Sequence, residues 1–199
     1  MRVDSFEGLL DLLSGDWRED DPWIRLLSAS QTGEQLELMI SVLLHSGKPT
    51  EQWVIGCVGV VEERLSFQGA DFLDATQTDS CLIRYHERKV SIYLPKTRVE
   101  RHVLLGIVCD CHTRVVGGVD GIDQYLNPAL TMGSGNEIFG LLGSFPESVG
   151  VQVAAELEKL NVAVKLAVST SSTNTSKQLF ALRFGESFVV AESFSARRA

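Results

Sequence analysis

"VERHVLLGIVCDCHTRVVGG", residues 99 to 118, decides how this chain is built. Read as a helix, it lines up Leu104, Val108, Cys111 and Val115 as one apolar stripe, and Gly117-Gly118 supplies the stop. Read as a strand, it alternates Val103, Leu105, Ile107, Cys109, Cys111 and Val115. The β-branched content favours the strand. The length of the run and the glycine pair favour the helix, and the helix is the reading adopted.

The choice also governs the chemistry of Cys109-Asp110-Cys111-His112. Zinc wants about four thiolate or imidazole ligands in a tetrahedron. On a helix Cys109 and Cys111 point to nearly opposite sides, whereas Cys109 and His112, at i and i+3, share a face. On a strand Cys109 and Cys111 share a face and His112 leaves it. Either way the remaining ligands would come from Cys57, Cys81 or His86, none of which lies in a paired motif. Cys109 with His112 is therefore the metal pair to test, against a reading of small cysteines used as apolar packing. No C-x-x-C is present, and Arg114 is the one nearby cation able to lower a thiol pKa.

Upstream, Asp4 with Glu7 suggests a capping box, and Phe6, Leu9, Leu10 and Leu13 repeat at helical spacing before Gly15. The acidic stretch "GDWREDDPW" follows. "WIRLLSAS" leads through the turn-like "QTGE" into "QLELMISVLLH", where Leu36, Leu38, Ile40, Val42 and Leu44 alternate as in a half-buried strand. "WVIGCVGVVEERLSF" is apolar on both faces and reads as a central strand, with Gly56 and Gly59 leaving room for a close neighbour. "SCLIRYHERKVSIYLP" reads as a hairpin about Glu87-Arg88, with Val90, Ile92 and Leu94 inward.

Downstream, residues 117 to 146 are rich in Gly and hold two short helical fragments, "IDQYL" and "NEIFGLL". Ser144 to Glu147 resembles a second capping box, with Pro146 in the first turn of the helix "PESVGVQVAAELEKL". Strands "VAVKLAVS", "QLFALRF" and "SFVVAESF" complete the chain around the polar loop "TSSTNTS", and Gly185-Glu186 turns the last hairpin. No internal repeat is evident. These elements predict an α+β fold, a largely antiparallel sheet with the two longer helices on one side, either continuous or split near residue 130 into two αβ halves. The domain expectation is residues 1–120 as an N-terminal α+β region and 121–199 as a C-terminal helix with three strands, or one continuous domain.

Composition narrows the function classes. The chain has 199 residues, 44% of them hydrophobic and 22% charged, as expected of a globular protein. Its formal charge of −8 disfavours phosphate-backbone binding and docking on anionic membranes, so neither nucleic acid nor membrane is expected as a partner. Asp4 and Glu7 break any signal-peptide core, and "WVIGCVGVV" and "VLLGIVC" are too short to span a bilayer. A cytoplasmic protein with reduced thiols is expected. The four cysteines do not form a disulfide framework, and the sequon Asn174-Thr175-Ser176 is discounted.

Catalytic signatures are missing. "SGKPT" has Pro49 where a phosphate loop needs Ser or Thr, and "GSGNEIFG" has Ile138 where a third dinucleotide glycine belongs. There is no G-x-S-x-G, H-E-x-x-H or S-x-x-K. Glu62, Glu63, Asp71, Asp74, Asp79, Asp120 and Asp123 read as solvated carboxylates, and His45 and His102 support no triad. Contacts are better signalled. Trp17, Arg18 and Trp23 carry the residue types favoured at interface hot spots, although rings so placed more often simply tether their loop to the core. The leading expectation is thus a non-catalytic module that binds another protein or itself as a homodimer, without a cofactor. A metal-dependent enzyme and a small-molecule binder using the space at Gly56 and Gly59 are the alternatives.

Overall fold

A computed structural model describes residues 5–13, 23–43, 50–97, 99–117, 121–129, 138–169 and 178–199. The fold is α+β, as expected, and among these residues eleven strands form three antiparallel sheets. The chain groups into two compact units: Met1–Asp79 with Lys177–Ala199, and Ser80–Ser176. The unit that contains the start of the chain thus also contains its last three strands.

In the first unit, helix α1 (Phe6–Leu13) buries Phe6, Leu9 and Leu13. Asp4 lies outside the described residues; the described cap is Ser5, whose Oγ accepts the Gly8 N–H at 3.0 Å. Strands β1 (Trp23–Thr32) and β2 (Gln35–Leu43) pair as a hairpin, turned at Gly33 with φ +63°. Leu36, Leu38, Ile40 and Val42 all face the core, as their alternation predicts. Strand β3 (Glu51–Val58) lies between β2 and the last strand, and its run from Trp53 to Cys57 is buried on both faces.

The stretch read as one long strand from Trp53 does not stay in one sheet. It breaks after Val58 at Gly59, φ +66°, and resumes as β4 (Glu62–Arg64) in a second sheet, which also holds β5 (Asp74–Thr76). The C-terminal stretch breaks opposite it. After β9 (Phe180–Phe184), "SFVVAESF" divides at Glu192 into β10 (Ser187–Ala191) and β11 (Ser193–Arg198), which pair with β4 and β3 respectively. Two paired strands therefore leave one sheet and enter the other together. The Glu192 N–H closes the crossing on the Val58 carbonyl at 3.0 Å.

The second unit runs β6 (Lys89–Thr97), α3 (Arg101–Val116), β7 (Ile138–Pro146), α4 (Glu147–Lys159), β8 (Lys165–Val168), with sheet order β7-β6-β8. The stretch from Arg101 to Val116 is a helix, as its length and glycine stop predict. Its buried stripe is Leu104, Val108, Cys111, His112 and Val116, and Gly117 ends it at φ +74°. Two local expectations fail. The hairpin about Glu87-Arg88 is replaced by a short helical turn, Ser80–Leu82 and α2 (Ile83–His86), ahead of β6. "NEIFGLL" contributes from Ile138 to β7 instead of a helix, because Gly140 (φ +93°) and Gly143 disfavour a helix and cross-strand pairing with β6 decides the outcome.

The capping box at Ser144–Glu147 is also replaced. No side chain within the helix start caps α4. Instead the Glu87 carboxylate accepts the Ser148 N–H at 2.8 Å, while Arg88 forks onto Glu147 at 3.0 and 2.8 Å. Gly150 lets α4 lie directly on the sheet, since a Cβ there would stand 3.2 Å from that of Val90.

Candidate functional site

Strand β1 opens with Trp23 and Arg25 exposed and Ile24 and Leu26 buried, so period-two alternation turns the indole outward. Beside it the Ile24 and Ala70 backbones exchange two hydrogen bonds of 2.7 Å, which fix residues 69–70 against the strand. The Trp23 ring lies over Gly69 so closely that a Cβ at that position would fall inside the indole. The ring is still 53% exposed. Within three residues of that contact, on either side, Phe67 and Phe72 are 62% and 42% exposed.

The loop that carries the two phenylalanines is held firmly. Ala70 and Leu73 anchor it in the core. Ser187 Oγ accepts the Ser66 N–H at 2.8 Å and donates to the Ser66 carbonyl at 3.2 Å, and Ser66 Oγ accepts the Gln68 N–H. Three aromatic rings are thereby presented to solvent on a hydrogen-bonded support, the arrangement that lets an aromatic contact form at small entropic cost. Trp17 and Arg18, the partners expected for Trp23, lie outside the described residues. Phe67 and Phe72 escaped the sequence reading. Their signal is "SFQGADFL", two phenylalanines about a glycine, which gains meaning once Trp23 is seen to need that glycine.

Helix α3 separates the metal pair. Cys109 is exposed, whereas His112 is 3% exposed and packs on Tyr125, with ring centroids 5.4 Å apart. Among the described residues no group of three or more His, Cys, Asp or Glu side chains converges as a metal would require. Cys111 is buried with Arg114 Nη2 3.6 Å from its sulfur, while the same nitrogen binds Asp110 at 2.6 Å. Burial pushes the Cys111 thiol up and Arg114 opposes it, with the net direction upward. Cys57 is pushed up to about 12, by burial first and by Glu63 second. None of the four cysteines is in a disulfide. These are packing thiols, except for Cys109.

The glycine space expected on β3 is occupied. Ser195 Oγ and the Gln35 amide stand at 2.8 and 3.2 Å from a Cβ on Gly56, and the Glu192 side chain covers Gly59. Of the carboxylates, Asp79 binds Arg183 at 3.2 Å, Asp71 and Asp74 are exposed, and Asp120 lies outside the described residues. Among the described residues no helix is long and apolar enough to cross a membrane. No family model, curated protein or solved structure matches the chain.

Proposed function

We propose that the chain is a non-catalytic protein-interaction module, acting in the cytoplasm, that binds another protein or a second copy of itself. One observation carries the reading: Trp23 packs over Gly69 and stays exposed, and Phe67 and Phe72 of the same backbone-bonded segment are each exposed too, which leaves apolar area in solvent. Tryptophan in such a position is the residue type that most often dominates binding energy. The charge of −8 supports a protein partner over a nucleic acid.

The test is comparative. Tagged wild-type chain and a Trp23→Ala/Phe67→Ala variant are used as bait, and any protein held by the first and lost by the second is purified and recombined with each. Size-exclusion chromatography with light scattering runs alongside. The reading expects a complex or a self-associated species that the double variant weakens at least tenfold. A strict monomer whose co-purifying proteins are the same for both baits would overturn it.

A further inference from the structure

The two edges of the sheet β7-β6-β8 are built differently. The β7 edge is protected: its pairing with β6 is interrupted at Ile92/Tyr93 and at Leu94/Thr97, it contains Gly140 at φ +93° and Gly143, and it ends at Pro146. Bulges, glycine and proline are the devices that keep an edge from recruiting another strand. The β8 edge has none of these. Residues 162 to 169, "VAVKLAVS", contain no Pro, no Gly and no carboxylate, and one charge, Lys165. Among the described residues β8 has β6 as its one strand neighbour, and Leu166 and Val168 are 41% and 48% exposed.

The ladder fixes which backbone groups β8 turns away from β6. Val168 stands opposite Val90, and the Ser169 N–H donates to the Lys89 carbonyl at 2.9 Å. In an antiparallel ladder such bonding residues alternate, so Ala167 and Lys165 also bond toward β6, and the N–H and C=O groups of Leu166 and Val168 face outward. Leu166 and Val168 share a sheet face with Ile92 and Val90, their opposite numbers, which belong to the helix-covered side. The outward amides and the exposed apolar side chains thus belong to the same two residues.

We infer that β8 pairs antiparallel with β8 of a second copy of this chain, about a two-fold axis at Ala167, to make one continuous six-stranded sheet. This register sets Leu166 of each copy opposite Val168 of the other, joining four outward backbone groups per copy and two apolar cross-strand pairs on one face. It sets Lys165 opposite Ser169, so the single charge never meets itself. The pairing strip carries no carboxylate, which lets two chains of charge −8 approach without acidic groups in apposition. This gives the self-associating form of the proposed function a surface, and it rests on that reading in this respect alone.

The full-length chain tests it. Light scattering is expected to return the mass of two chains for the wild type and of one for Leu166→Lys, with the same far-ultraviolet circular dichroism for both; the wild type alone should melt higher as its concentration rises, because pairing stabilises the folded state by mass action. Independently, Ala167→Cys in a Cys109→Ser background is expected to form an intermolecular disulfide on mild oxidation. Two residues facing across a non-hydrogen-bonded antiparallel pair have Cα atoms about 4.5 Å apart, within disulfide range. A monomeric wild type, a folded Leu166→Lys that remains dimeric, or absence of the cross-link would each overturn the inference. A monomer that still recruits a partner through Trp23 would overturn it and leave the proposed function standing.

Discussion

The Glu192 side chain lies across Gly59 at the point where two paired strands change sheets: a Cβ on Gly59 would stand 2.6 Å from Glu192 Cδ. Gly59 holds φ +66° there, a conformation that costs a residue with a side chain roughly 1–2 kcal/mol. Glu192 is flexible at its far end and can move, so backbone strain is the larger effect. Gly59→Ala should therefore lower stability by about 1–2 kcal/mol in urea titration, with an unchanged m-value. Adding Glu192→Ala should recover little of it; full recovery would place the cost in the steric contact instead.

A second prediction concerns α4. Glu87 is its N-terminal cap, supplied from outside the helix, and losing a cap costs about 0.5–2 kcal/mol. Glu87→Ala should show that loss in chemical denaturation followed by circular dichroism. Arg88→Ala, which removes an ion pair between side chains 58% and 37% exposed, should cost under about 1 kcal/mol. Equal effects would mean that the ion pair, not the cap, orders the helix start.

Thiol accessibility gives a third. Cys109 is exposed and Cys57, Cys81 and Cys111 are buried. A thiol reagent should titrate one group rapidly in native protein and four after unfolding. Cys109→Ser should abolish the rapid phase. Rapid modification of three or four thiols in the native state would contradict the described burial.

The raised Cys57 thiol sets an alkaline limit. In the unfolded chain it ionises near 9, and in the folded chain at about 12. Between these values the unfolded state binds fewer protons, so the stability contribution is complete below pH 9 and declines as pH rises toward 12. The slope is at most about 1.4 kcal/mol per pH unit from this one group. Cys57→Ala compared with wild type at pH 8 and pH 10.5 should show a smaller alkaline loss in the variant.

Metal removal gives the last. With Cys109 in solvent and His112 in the core, chelation should leave the melting temperature within a degree of its starting value, about the scale of a change well under 1 kcal/mol. Stoichiometric zinc by elemental analysis, lost together with stability on chelation, would reinstate that pair.

Local elements with one dominant signal were legible in the sequence. Leu36 to Val42 alternate without interruption, and Gly117 stops α3 where the glycine pair suggested. What misled was continuity. "WVIGCVGVVEERLSF" and "SFVVAESF" each read as one strand because apolar residues persist through the crossing, and the bend at Gly59 and Glu192 appears once the two are paired. "NEIFGLL" suits a short helix until β6 offers it a ladder. At the candidate site Trp23 was visible as a residue type. Phe67 and Phe72 were not, since an isolated phenylalanine in a loop is uninformative until the backbone brings Gly69 beneath the indole.

The return of the last strands to the first unit also has a consequence for how the chain is born. Strand β3 acquires β11, and β4 acquires β10, from residues 187 to 198, which are made long after β3 and β4 themselves. Units of a chain fold as their residues leave the ribosome, so Ser80–Ser176 has all its strands in hand while the earlier-made hairpin β1-β2 still waits for its sheet to be completed. A chain stalled before residue 187 would carry the strands of the second unit and a β3 paired on one side only, with β2, although β3 is buried on both faces in the complete sheet. Loss of residues 187–198 would thus be felt far away in sequence, at the uncovered side of β3, as aggregation seeded by Trp53 to Cys57.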